Sequence, residues 1–429
     1  MRLPDLEVFP ADVTLRQYHS QLAMNQAGVA ANRCSPRTQA ALAFYLALAV
    51  SGAIVCLGAD QRLPQVRETP RPNLSLRNEA QHAIDKGVTW LEQHQDAKGF
   101  WSTPDHPALT ALALVALQGE PTGRHRVFDN QATRRGYEFL LSCVKPDGSI
   151  TGKGELPNYN TAVSMLALLA ANRPEYKPVI LKARRFIIGL QNDFGEAGKV
   201  DDVFDGGIGY GNNYPHSDMG NTLFALEALY YSKQLVADQN LSEAKDLNWP
   251  AVIQFIQNCQ NLPSYNAQKW ASEDPDNKGG FVYYPGHSMA GETNLPSGRV
   301  ALRSYGSISY AGLLSYIYAD LRREDPRVTA VFDWLQRHYT LDENPGLGPQ
   351  GLFYYFHTMT KALTLYGADS LELKDGQKVN WREALTLRLL NLQQKDGSWA
   401  NENGRWWEKD PALVTAYGLI CLDMLHPRL

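Results

Sequence analysis

Leu389 to Leu425 reads LLNLQQKDGSWANENGRWWEKDPALVTAYGLICLDML, and this stretch decides the fold. A short apolar helix runs into Gln393-Gln394. A polar turn follows, Lys395-Asp396-Gly397-Ser398, closed by Trp399. Asp-Gly is a turn signal, because Asp caps and Gly accepts positive φ. After Asp410-Pro411 a second apolar helix runs from Ala412 to Leu425. Pro411 suits a first helical turn, where no N–H is needed. The reading is a helical hairpin whose turn carries a Trp that packs over Gln393 or Gln394.

The hairpin recurs. Its turn glycines are Gly99 (GFW), Gly148 (DGSI), Gly207 (GGIGY), Gly280 (GGFVYY), Gly351 (GLFYY) and Gly397 (DGSW). Self-similarity of this kind marks a repeat architecture. One hairpin cannot bury its apolar faces alone, so neighbours stack. Six hairpins can close into a ring with second helices inside and first helices outside, which removes the open ends of a solenoid.

The outer and inner helices are expected in pairs. Ala80–Glu92 pairs with Pro107–Leu117, Arg134–Cys143 with Asn160–Ala171, and Pro178–Gln191 with Asp218–Tyr231. Trp249–Cys259 pairs with Ser307–Leu321, Arg327–Tyr339 with His357–Tyr366, and the opening stretch forms the sixth pair. Hydrophobic residues make up 44% of the chain and charged residues 20%, which supports a sizeable core. The net charge of −4 argues against a nucleic-acid partner.

Residues 1–59 read as a leader and 60–77 as a Pro/Arg-rich linker, with the toroid over 78–429. Ala40 to Ala59 carries no charge and follows Arg33 and Arg37, so it reads as an export signal or a membrane anchor, with Met24 an alternative start. A buried core helix is the structural alternative. The expected location is therefore outside the cytoplasm: periplasmic, in the cell envelope or anchored to a membrane. Cys34, Cys56, Cys143, Cys259 and Cys421 are scattered and odd in number, which points to no disulfide framework and no zinc site.

The turn Gln393 to Trp399 (QQKDGSW) resembles the glutamine–tryptophan repeat of squalene–hopene cyclases and related terpene cyclases. The six-hairpin plan is similar to the β subunits of protein prenyltransferases. The resemblance implies an all-α fold, an α/α toroid built from about six helical hairpins, over roughly the last four-fifths of the chain. It does not imply one activity.

Cyclases of this kind carry Asp-x-Asp-Asp followed by Thr-Ala at an inner-helix start, and the middle Asp donates the proton. Here the third inner helix begins Asp218-Met219-Gly220-Asn221-Thr222. Asp218 and Thr222 match the pattern, but the donor's place is Gly220 and the last Asp is Asn221. The structural reading of Asp218 is an ionised helix cap. Prenyltransferases imply a zinc site from Asp-x-Cys and a later His. Only His357 fits, loosely, and one His does not hold zinc. Asp201, Asp202 and Asp205 spell the Asp-Asp-x-x-Asp of ionising terpene synthases, but in a loop, where a solvated acidic turn is the alternative to metal binding. Asp276 sits in a further acidic turn.

Catalytic candidates are thus Asp218, Asp276 and His357. Ligand-binding candidates are Asn160, Asp218, Asn221, Tyr305, Ser307, Tyr310, Tyr355, His357 and Tyr417, all at or near inner-helix starts. Such polar groups among apolar walls describe a small-molecule pocket, and packing between hairpins is the structural alternative. No cofactor is expected. The leading expectation is a terpene-cyclase- or prenyltransferase-like toroid that binds or acts on an apolar isoprenoid-like molecule without the usual proton donor. The alternatives are a non-catalytic envelope interaction module and an α/α-toroid enzyme acting on carbohydrate.

Overall fold

Asn73 opens the first helix among the described residues, its side-chain oxygen accepting the Leu76 N–H at 3.2 Å. Helix α1 therefore spans Leu74–Gln93, starting inside the stretch read as linker. The computed structural model describes residues 73–126, 130–211, 216–237 and 246–429. The leader, its apolar run, Met24, Cys34, Cys56 and most of the linker lie outside the described residues. Among the described residues no helix is long and apolar enough to cross a membrane.

Eleven further helices follow: α2 Pro107–Gly119, α3 Gln131–Ser142, α4 Pro157–Ala170, α5 Lys177–Ile188, α6 Met219–Ala237, α7 Trp249–Asn258, α8 Gly306–Tyr318, α9 Pro326–Arg337, α10 Leu352–Tyr366, α11 Trp381–Leu392 and α12 Pro411–Leu425. Helices α2, α4, α6, α8, α10 and α12 each pack on the next, and α12 packs back on α2, so the inner ring closes. The odd-numbered helices lie outside it. Sequence explains the division. Every residue of α8 is buried, as a helix apolar all round requires, whereas α9 buries only a stripe of Val328, Val331, Trp334 and Leu335.

Among the described residues two antiparallel hairpins interrupt the plan: β1 (Glu292–Asn294) with β2 (Val300–Leu302), and β3 (Leu371–Glu372) with β4 (Lys378–Val379). Strands of two or three residues leave no readable alternation, so the sequence did not announce them. Helix α10 also begins earlier than expected. Gly351 precedes it in the left-handed region, and His357 falls in its second turn.

The repeating turn has a defined chemistry. The Gln393 side-chain N–H2 donates to the Gly397 carbonyl at 2.9 Å and to the Ala83 carbonyl of α1 at 2.8 Å. Gln95 joins Gly99 to Ala132, Gln191 joins Gly206 to Asn248, and Gln260 joins Gly279 to Arg327 in the same way. Each glutamine ties its own turn to the next outer helix, and Gln393 ties the last turn to the first. Gly397 has φ of 96°, and a Cβ there would lie 2.7 Å from the Lys86 carbonyl oxygen. The corresponding glycines in the third and fourth turns are Gly206 and Gly279, one residue before the expected Gly207 and Gly280. Gly351 plays no such part, since it lies against Trp406 and Asn344.

Trp399 is fully buried, and its indole N–H donates to the Leu389 carbonyl at 2.8 Å. It lies against Gly87 of α1 and Gly418 of α12. The Gln393 side chain reaches past it to α1. Trp399 thus braces the last hairpin against its neighbours, and two of its contacts are glycines on α1 and α12.

The loop from α2 to α3 holds a buried charged group. Glu120 is fully buried and accepts from the Thr122 N–H at 2.9 Å and the Thr122 hydroxyl at 2.7 Å. His125 Nε2 lies 3.0 Å from Glu92, and its Nδ1 lies 3.6 Å from Glu120, an ion-pair distance. Burial by itself raises the Glu120 carboxyl, but His125 and Thr122 outweigh it and hold it at about 2. Burial lowers His125, and the two glutamates outweigh that and raise it. Glu120 thus contributes stability above its unfolded value of 4.5 and loses it as pH falls toward 2. His125 contributes below its unfolded value of 6.5 and loses that as pH rises through its higher folded value. The gap in melting temperature between the native chain and Glu120→Gln is expected to be widest between about pH 4.5 and 6.5. An equal gap near pH 3, 5.5 and 8 would count against this pairing.

Candidate functional site

The starts of the inner helices lie at one end of the ring, where the sequence placed its candidates. Asp218 precedes α6 and is fully buried. Its Oδ1 accepts the Asn221 N–H and its Oδ2 accepts the Asn221 side-chain N–H, both at 2.8 Å. The capping role is as expected. Burial outweighs the hydrogen bonds from Asn221 and Tyr283 and raises the carboxyl to about 6, which still leaves it mostly ionised at neutral pH. Tyr283 continues the chain, its hydroxyl 3.2 Å from that of Tyr210.

Across the ring the aromatic side chains meet. Tyr159 of α4 lies edge-on to Phe224 of α6, with ring centroids 5.0 Å apart. Phe224 is 6.2 Å from Tyr354 of α10, and Tyr354 is 6.2 Å from Tyr417 of α12. Tyr417 lies beside Tyr159, near enough for their hydroxyls to influence one another, and 4.8 Å from His357. Helices α6 and α10 are separated in the ring by α8, and α4 and α12 by α2. These rings therefore reach across the lumen and form a floor. Burial pushes Tyr159 up to about 12 and raises Tyr305, Tyr354 and Tyr417 as well. Tyr159, Phe224, Tyr283 and Tyr354 nevertheless remain half-buried, so they present some face to accessible space. The Tyr354 hydroxyl, Asn158 Oδ1 and His357 Nδ1 are buried without a hydrogen-bond partner. Burial, aided by Lys361, holds the His357 imidazole well below its ordinary value and so neutral.

Below the floor Lys361 of α10 reaches Glu227 of α6 at 2.7 Å, a second link across the ring. At the rim Glu408 is buried and accepts the Tyr354 N–H at 2.8 Å and the Asn401 side-chain N–H at 2.7 Å. Burial raises this carboxyl, while Asn401 and the first N–H groups of α10 oppose the rise.

Several sequence candidates hold the scaffold and do not face the floor. Asn160 accepts the Ala108 N–H and donates to the Glu155 carbonyl, joining α4 to the start of α2. Ser307 pairs with Asn344 through both its N–H and its hydroxyl. The Tyr355 hydroxyl donates to the Thr340 carbonyl, and Tyr310 packs beside it. Thr222, which matches the cyclase pattern, accepts the Ile208 N–H, and Thr415 accepts that of Trp399. These hydroxyls brace turns.

The acidic loops are also structural. Asp205 accepts the N–H groups of Phe194, Asp201 and Asp202, Asp201 accepts that of Glu196, and Asp202 accepts that of Phe204. The three carboxylates turn to the backbone and do not converge. Among the described residues no group of three metal-ligating side chains is assembled. Asp276 is exposed, and its carbonyl accepts the Trp334 indole N–H on an outer helix, away from Asp218. Of the sequence candidates, the structure gathers Asp218, Asn221, Tyr305, His357 and Tyr417 around the floor. The sequence reading missed Tyr159, Tyr210, Phe224, Tyr283, Tyr354, Lys361, Glu227 and Glu408. Two carried a signal: Tyr210 and Tyr283 each follow a Gly-Gly turn by three residues.

No protein-family model and no curated protein matches the sequence. Solved structures do match in fold. The type II terpene cyclase MstE from Scytonema superposes with a TM-score of 0.50 at 12% identity, over 82% of this chain and 99% of that one. An inactive variant of the alpha-1,6-mannanase GH76A of Salegentibacter sp., bound to alpha-1,6-mannotriose, gives 0.50 at 11% identity, over 81% of this chain and 99% of that one. A GH76 alpha-mannanase of Bacteroides thetaiotaomicron gives 0.50 at 9% identity, over 81% and 96%. Terpene cyclase and mannanase share one scaffold, and what this chain has in common with both is the α/α toroid.

Proposed function

We propose that the chain is a binding toroid that takes an apolar, isoprenoid-like small molecule at the mouth of its ring and does not start cyclisation by protonation. The observation that carries this is the aromatic floor of Tyr159, Phe224, Tyr354 and Tyr417, built from four inner helices. Aromatic faces suit an apolar ligand or a cation.

Proton transfer to an alkene needs a strong, positioned acid. Position 220 is glycine, and burial makes Asp218 a weaker acid than an ordinary carboxyl. Carbohydrate hydrolysis would need two carboxyls free to meet substrate. Asp205, Asp218 and Glu408 are buried carboxyls at this end, and all three are engaged by backbone or side-chain N–H groups. Export belongs to the same proposal through the uncharged run at 40–59, and fractionation that left the full-length chain in the cytoplasm would contradict it.

The test has two arms. Mass spectrometry of lipid extracted from purified full-length protein is expected to find a prenyl compound, reduced by Phe224→Ala. Incubation with squalene from acidic to neutral pH is expected to give no cyclic product. Cyclic product abolished by Asp218→Asn would overturn the binding reading.

A further inference from the structure

Trp406 and Trp407 are large apolar side chains left exposed at the ring mouth, at 40% and 51%. Both adopt positive φ, 54° and 67°, a conformation disfavoured for residues with a Cβ. Their loop is anchored just after the pair. Glu408, the next residue, is buried against the start of α10, and Asp410 caps α12 through the Ala412 N–H. The strain is therefore fixed by its anchors, and its result is a pair of indoles turned outward.

Their position is specific. Trp406 lies on Gly351, three residues before Tyr354 of the floor. Trp407 meets His106 edge-on at 5.3 Å, and His106 Nδ1 is 3.4 Å from Asn160, the neighbour of Tyr159. The pair thus borders the floor at both its α10 and its α4 sides. The Arg405 guanidinium covers Trp406 at 5.2 Å, which leaves Trp407 as the more open of the two.

We infer that Trp407, supported by Trp406, is an outer apolar subsite along which the chain of an elongated prenyl ligand lies. This rests on the proposed isoprenoid-binding function and extends it. Side chains that meet across the ring block the lumen, so a ligand longer than the floor must run out over the rim. The polar groups beside Trp407 favour an apolar occupant. Asn160 is bonded through its oxygen and its nitrogen, Asp410 to Ser102 and Ala412, Asp105 to Lys153, and Glu408 to Asn401 and α10. A sugar stacked there would find these four side chains already engaged and chiefly the Arg405 guanidinium left to bind, whereas a prenyl chain requires no polar partner.

The test is calorimetric titration of the full-length protein with geraniol, farnesol and geranylgeraniol in detergent below its micelle threshold. The native chain is expected to bind geranylgeraniol about tenfold or more tightly than geraniol. Trp407→Ala should keep geraniol binding and lose the dependence on length, and Trp407→Phe should retain it. Trp407 is half exposed, so an unchanged melting curve checks folding in both variants. Length dependence that survives Trp407→Ala, or is absent in the native chain, would overturn the subsite while leaving the floor intact. Failure of all three alcohols to bind the native chain would instead overturn the isoprenoid reading itself. Saturable binding of mannotriose that weakens in Trp407→Ala would overturn the apolar assignment of the rim.

Discussion

Replacing Trp399 with alanine is expected to lower the stability of the ring by roughly 3–5 kcal/mol. The side chain is fully buried, so its removal leaves a cavity as well as losing the transfer energy of the indole. The surroundings cannot collapse easily, because two of its contacts are glycines on rigid helices, with no side chain to move into the space. Gly87 belongs to α1 and Gly418 to α12. The indole N–H also leaves the Leu389 carbonyl without its 2.8 Å partner. The loss falls where the last hairpin meets the first, so chemical denaturation should show a lower midpoint and earlier exposure of α1. Trp101 occupies the equivalent place against Gly136, with its indole N–H on Leu91. Trp101→Ala should match Trp399→Ala in size. A variant of Trp399 that melts with the native chain would remove the brace from this account.

Lys361→Met is expected to destabilise by roughly 3–5 kcal/mol, because it leaves the Glu227 carboxylate buried and unpaired. The two side chains are only 15% and 5% exposed, and the 2.7 Å contact spans the ring from α10 to α6. The same principle predicts recovery. Lys361→Met combined with Glu227→Leu removes both charges and should regain most of the loss, since a buried ion pair adds little over apolar packing. A urea midpoint for the double variant as low as that of the single one would show that the pair fixes helix positions in some other way. An unchanged midpoint for Lys361→Met would show that Glu227 is solvated after all.

What the sequence determined by itself was the architecture. Gln393, Gly397 and Trp399 recur in kind along the chain, and each acts on the residues nearest to it. The glycine must pass close to a helix carbonyl, the glutamine must bridge two carbonyls, and the indole must be buried. These are requirements of local backbone geometry and of apolar periodicity, and both are written in short windows of sequence. The same locality made Gly220 legible as a missing donor and Asp218 as a cap. It could not give the upward shift of the Asp218 carboxyl, which depends on burial by elements far away in the chain. Nor could it choose among tyrosines. Tyr355 and Tyr354 are adjacent on α10, yet the first bonds to Thr340 between hairpins and the second reaches the floor. Which of two neighbours faces inward depends on the rotation of the helix in the closed ring. Tyr159, Phe224, Tyr354 and Tyr417 become one surface only because four helices converge, and Lys361 finds Glu227 only across the lumen. The tertiary structure decided the site because its members come from separate repeats, and ring closure alone brings them within contact.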